Sequence, residues 1–151
     1  MKKSSTYGRK ELRQEKIWIL KKYLFTFGFI FLKTNNMKAT GNAIVDHSFV
    51  FALEIIEFVV KIEDLRKYPI ANQLLKSGTS IGANVHEAQH PESKADFVHK
   101  LKIAEKESKE TEFWLMLCKY SRHLPDPGDL QNRLQEIQKL LGAIISSCKR
   151  F

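Results

Sequence analysis

The sequence predicts an all-α fold: an up-down-up-down four-helix bundle preceded by a poorly packed or separate N-terminal extension. Three observations predict it. From Ile44 to Leu65 the chain has no breaker and no strand-like alternation. Two later segments repeat apolar or small residues at strict spacings of 4 and 3, the signature of one helix face. The connections between segments are short and built from proline, glycine and aspartate, which keeps consecutive helices antiparallel.

The extension covers residues 1–36. It carries 9 Lys/Arg against 2 Asp/Glu and holds a ten-residue run, Tyr23 to Leu32, that is apolar except for Thr26 and Gly28. Basic residues followed by an apolar run resemble a signal peptide, but Lys33-Thr34-Asn35-Asn36 offers no small-residue cleavage site. The run is also shorter than the roughly 20 residues that span a bilayer, which argues against a membrane-spanning helix and leaves a helix lying in the membrane interface as the alternative. Composition changes at Met37, so residues 37–151 are expected to form the bundle and Met37 to be the physiological start.

In the first helical segment two apolar rows can be drawn. One is Val45, Phe49, Ala52, Ile56 and Val59; the other is Phe51, Ile55, Phe58, Ile62 and Leu65. A helix apolar on two faces is normally covered on both, so one row is expected in the core and the other against a neighbouring subunit. Arg66-Lys67-Tyr68-Pro69 connects to the second helix, with Pro69 suited to its first turn. That helix, expected to run to about Gln89, has Ile70, Leu74, Ile81, Val85 and Ala88 as its apolar stripe. Gly78 and Gly82, four apart, predict close approach of another helix.

Ser93 and Asp96 form a capping-box-like start to the third helix, with Asp in place of Glu or Gln. Its repeat is Phe97, Leu101, Ala104, Ser108, Thr111, Leu115 and Cys118. Leu124-Pro125-Asp126-Pro127-Gly128 is a dense turn, and the fourth helix follows with Leu130, Leu134, Ile137, Leu141, Ile144 and Cys148. Cys118 and Cys148 lie in apolar patterns and are expected as buried free thiols rather than a disulfide or a ligand pair, which makes a reducing cytoplasm the expected compartment.

The net charge of +8 invites a nucleic-acid reading, but its distribution weakens that reading. Residues 37–151 hold 16 Lys/Arg against 15 Asp/Glu, so the basic character belongs to the extension. Lys76, Lys100, Lys106 and Lys109 are the candidate phosphate contacts; Glu105, Glu107, Glu110 and Glu112 interleave with the last of them and favour a solvated, salt-bridged face.

Beside the apolar stripe of the second helix runs a polar seam: Gln73, Ser77, Ser80, Asn84 and Glu87. Amides and hydroxyls cost free energy to bury unless their partners are fixed, so the seam predicts a specific contact. Ser108, Thr111 or Glu112 on the third helix is the expected partner, with a subunit or nucleic-acid contact as the alternative. His86-Glu87-Ala88-Gln89-His90 also satisfies H-E-x-x-H, the arrangement in which two imidazoles one turn apart bind zinc and the glutamate acts as base. Glu110 is a nominal third ligand. Against a metal site, Pro91 directly follows His90, no strand pattern exists to hold a peptide substrate, and Glu87 already belongs to the seam. No cofactor and no catalytic constellation is expected. Phe113-Trp114 is read as packing.

The run from Gln73 through Leu74-Leu75-Lys76-Ser77-Gly78-Thr79-Ser80-Ile81-Gly82-Ala83-Asn84-Val85-His86 to Glu87 resembles a motif of the intervening-sequence proteins of bacterial 23S ribosomal RNA. The resemblance continues through Asp96-Phe97 and the stretch from Lys106-Glu107-Ser108 through Glu110-Thr111-Glu112 to Leu115, and spans about residues 44–149. Ala88 stands where that family usually has glycine, Ser108 where it has alanine, and His86 and His90 where it does not hold histidine. The resemblance implies a cytoplasmic, non-enzymatic bundle that assembles as a homo-oligomer, a homopentamer, with RNA, DNA or a reverse transcriptase as partner in related proteins. Three functions are therefore carried forward: an oligomeric scaffold associated with nucleic acid, a protein-binding module without nucleic acid, and a zinc hydrolase through His86 and His90.

Overall fold

The computed structural model describes residues 39–148, and the expectations placed on residues 1–36 and on Met37 lie outside them. Within that range the chain forms four helices: α1 (Ala43–Glu63), α2 (Tyr68–Glu87), α3 (Lys94–Tyr120) and α4 (Leu130–Cys148). α1 packs on α2, α2 on α3, α3 on α4, and α4 back on α1. Each helix therefore touches its two neighbours and leaves α1 diagonal to α3, which is the up-down-up-down arrangement.

Each helix end has a local cause. The chain enters α1 through Thr40, whose backbone N–H and hydroxyl both donate to Asp46 (3.0 and 2.8 Å). α1 closes with Lys67 N–H donating to the Ile62 carbonyl (3.3 Å) and Arg66 N–H to Glu63 (2.7 Å). That pair of bonds is a Schellman closure with Arg66 left-handed at φ 58°. Pro69 lies in the first turn of α2 as expected. Ser93 caps α3 by accepting from Asp96 N–H (3.1 Å), while Asp96 accepts from Glu92 N–H (3.2 Å) instead of from the cap residue. Gly128, at φ 57°, donates to Asp126 (2.8 Å) in the turn before α4.

The core holds Phe51, Ile55 and Ile62 of α1, Leu74 and Ile81 of α2, Leu101 and Leu115 of α3, and Leu134, Ile137 and Leu141 of α4. The third-helix repeat is buried as the spacing predicts from Leu101 to Cys118, with Phe97 half-buried at its edge. Two stripes drift from their predicted lines. In α4, Ile145 and not Ile144 is buried in the last turn, because a 3.6-residue helix drifts against a strict 4-and-3 repeat. In α1, Val45 and Val59 join the core while Phe49 and Ile56 stay exposed, and Leu65 lies past the helix end and is also exposed. The outward apolar stripe is instead Phe49, Leu53, Ile56 and Val60.

Gly78 and Gly82 do permit close approach, and the neighbour is α1. A Cβ on Gly78 would lie 2.8 Å from Ile55 Cγ2, and one on Gly82 would lie 3.3 Å from the Ser48 carbonyl oxygen. Both cysteines are free; Cys118 is buried, which pushes its thiol up to about 11, and Cys148 is half-buried. No helix of the described residues is long and apolar enough to cross a membrane.

Candidate interaction surfaces

The polar seam divides by depth. Ser77 is fully buried, Ser80 and Asn84 are half-buried, and Gln73 and Glu87 are exposed. Ser77 donates to its own helix, at the Leu74 carbonyl (3.4 Å), and Asn84 donates to the Ser80 carbonyl (2.9 Å). Across from them, Ser108 donates to the Glu105 carbonyl (2.6 Å) and Thr111 to the Glu107 carbonyl (2.8 Å). Each buried hydroxyl is thus satisfied on its own helix, which removes the desolvation cost without a cross-helix bond. The expected bond between the seam and Ser108, Thr111 or Glu112 is not made among the described residues. The one seam residue that reaches α3 is Glu87, which accepts from Lys100 Nζ. That bond raises the lysine's affinity for its proton.

The third-helix motif residues look outward or along the helix. Glu107 is half-buried, and desolvation, with Glu110 as like-charged neighbour, raises its pKa against the pull of Lys76. Glu110 accepts from Trp114 Nε1 (3.3 Å). Glu112 accepts from Lys109 Nζ (2.9 Å) and from Gln138 Nε2 of α4 (3.3 Å), and both hydrogen bonds hold its carboxyl below the usual range.

Of the four candidate phosphate contacts, Lys100 and Lys109 are therefore engaged with carboxylates, Lys76 stands within electrostatic reach of Glu107, and Lys106 is exposed. The described residues hold 13 Lys/Arg and 15 Asp/Glu, so no excess of positive charge backs those lysines.

The H-E-x-x-H residues do not converge. α2 ends at Glu87, so His90 falls beyond its last turn. His86 meets Phe49 edge-on (6.4 Å between ring centroids), and Glu87 is tied to Lys100. Glu110, the nominal third ligand, is held by Trp114. Among the described residues no group of three His, Cys, Asp or Glu side chains is placed to hold a metal ion.

Two further features stand out. Between α1 and α4, Glu54 accepts from Arg133 (2.8 Å), and Arg133 also reaches Asp129 (3.3 Å). The second oxygen of Glu54 is buried without a partner, and burial raises its pKa against the Arg133 charge. The other feature is apolar. On α3, Phe113, Met116, Leu117 and Tyr120 are 40–79% exposed and line a shallow groove with Ser121. On α1, Phe49, Ile56 and Val60 are 37–43% exposed. Phe113 does contact Trp114 edge-on (5.2 Å between centroids), but it faces away from the core. Sequence reasoning found an outward face on α1 and missed the one on α3. The signal was there: Phe113, Leu117 and Tyr120 repeat at 4 and 3, half a turn from the buried repeat.

Comparison with known proteins agrees with this fold. Residues 41–143 match the family model for the 23S rRNA-intervening sequence protein. A solved structure, a protein of unknown function from the S23 ribosomal protein family of Bacteroides thetaiotaomicron VPI-5482, is 40% identical over 68% of this chain and 97% of its own. It superposes with a TM-score of 0.64. No curated protein matches the chain.

Proposed function

Since this chain belongs to the 23S rRNA-intervening sequence protein family, we propose that it acts in the cytoplasm as a non-enzymatic helical scaffold that assembles with copies of itself. The observation that carries this reading is the pair of outward apolar faces on α1 and α3, which stay exposed among the described residues. Contiguous exposed apolar surface on a small domain marks an interaction site, because leaving it in water forfeits about 25 cal/mol for each Å² that a partner would bury. Three carboxylates of the bundle are engaged with cations, Glu87 with Lys100, Glu112 with Lys109 and Glu54 with Arg133. Five copies, the number the family resemblance implies, is our reading of the assembly. Sedimentation velocity of the full chain tests it. A discrete species several times the 17.5 kDa protomer is expected, and a monomer at all concentrations would refute it.

A second reading, contact with RNA or DNA, is favoured by the exposed Lys106 and by the repetition that a ring gives to a weak patch. Its mark is salt dependence: retention on structured RNA falls steeply between about 50 and 200 mM salt if phosphate contacts carry it. A scaffold that binds only protein shows no retention at either salt. The family match does not favour the zinc hydrolase, and neither does the placement of His86 and His90.

A further inference from the structure

α1 and α4, the first and last helices, make the loosest of the four helix contacts, whereas Gly78 and Gly82 bring α2 close onto α1. Between α1 and α4 lies an open groove of about 490 Å³, within the range of about 300–1,000 Å³ usual for small-ligand sites. Its floor is apolar: Phe51 and Ile137 from the core, with half-buried Val50 beside them. Its two ends are charged. At one, Asp46 and His47 of α1 meet Glu136 of α4, with His47 Nδ1 4.0 Å from a Glu136 oxygen. At the other, Arg133 pairs with Asp129 (3.3 Å) and with Glu54 (2.8 Å). Asp46, Glu54, Asp129 and Glu136 thus stand against the single guanidinium of Arg133, three more negative charges than positive, leaving His47 aside. The described residues as a whole hold 13 Lys/Arg against 15 Asp/Glu, so the groove carries more than all of that excess. Neither Lys61, whose ammonium lies 5.9 Å from the Phe58 ring centre, nor Lys139 lines it.

Acceptor capacity is left over at both ends. Thr40 donates only to Oδ1 of Asp46, Glu136 is 60% exposed, and Glu54 Oε2 is buried without a partner. Asp129 and Glu136 are seven residues apart in sequence, which sets the two acidic ends about 10 Å apart along α4. Among the described residues no three ligating side chains converge on a metal ion. Separated acidic ends on an apolar strip fit a cation that is itself long, charged at its ends and apolar between them. We propose that the α1–α4 groove binds an aliphatic diamine or polyamine, one ammonium group at Asp46 and Glu136, another at Asp129, and the methylene chain along Val50, Phe51 and Ile137. Charge-assisted hydrogen bonds hold the ends, and the apolar floor takes the methylenes out of water. An anion, phosphate included, would meet net negative charge there. The site does not depend on the scaffold reading, since Phe49, Ile56 and Val60 of α1 and the α3 face lie outside its lining.

Calorimetric titration of the full chain with spermidine at low salt tests this. One molecule should bind per chain, and more weakly as salt rises. Glu136→Gln should weaken binding about fivefold, the most that one exposed ion pair is worth, with helix content by far-ultraviolet circular dichroism unchanged. Butylamine, a methylene chain with a single ammonium group, should bind at least about fivefold more weakly than spermidine. Glu110→Gln removes the same charge from α3, outside the groove, and should bind spermidine as the wild type does. Absence of saturable spermidine binding overturns the proposal. So does Glu136→Gln binding as tightly as the wild type, Glu110→Gln losing as much as Glu136→Gln, or butylamine matching spermidine.

Discussion

Arg66 closes α1 in the left-handed region, where a side chain is held at about 1 kcal/mol of strain that glycine does not feel. Arg66→Gly is therefore expected to stabilise the bundle by about 0.5–1 kcal/mol, read as a higher urea midpoint with an unchanged slope. Gly78 is the opposite case. Its missing Cβ is the space that Ile55 fills, and a β-branched side chain has little freedom to give way. Gly78→Ala should cost about 1–2 kcal/mol, the overpacking outweighing alanine's better helix propensity. Gly142→Ala, with nothing near the added methyl, should gain about 0.5–1 kcal/mol; equal effects at the two glycines would contradict the close α1–α2 approach. Glu54 supplies a pH dependence. Its pKa is raised by burial, so the folded state binds its proton more tightly than the unfolded chain does. Ionised Glu54 is thus a cost to stability above its folded pKa, relieved as pH falls towards 4.5. Relative to Glu54→Gln, the wild type should gain stability between pH 7 and 4.5, and a flat difference across that range would exclude the burial account.

At the scale of the helix, Ser93→Ala removes the only acceptor for Asp96 N–H at the start of α3 and should lower stability by about 1 kcal/mol in a denaturant titration. Most of the element structure was legible because it depends on local rules. The 4-and-3 repeat from Leu101 to Cys118, the prolines and glycine before α4, and Pro69 in the first turn of α2 each act within a few residues. What was not legible depends on three-dimensional context. Ser77, Ser108 and Thr111 are polar and face inward, and a pattern cannot say whether such hydroxyls bond across helices or back to their own carbonyls. The structure has the second. In the same way, Val45 and Val59 lie in a row with Phe49 and Ile56 on paper, yet only the two valines are buried, and which members of such a row are covered depends on the helices packed against it. The α3 face escaped notice because Phe113 and Trp114 read equally well as core residues until the core proved full without Phe113.

Among the described residues a filled apolar core carries two exposed apolar faces. Among the described residues the core of α1 to α4 is filled within one copy, while Phe49, Ile56 and Val60 on α1 and Phe113, Leu117 and Tyr120 on α3 stay exposed, so the proposed assembly would serve to cover these faces rather than to fold the bundle. Its charge is balanced over the described residues, 13 positive against 15 negative, so no large field of one sign among them would repel a second copy. If these faces seat on further copies of the chain, as proposed, the mass of the native full-length protein reports it. Native mass spectrometry across a hundredfold range of protein concentration should give one multiple of the protomer mass that persists on dilution, as a closed ring does. Monomer alone throughout the range would contradict the claim.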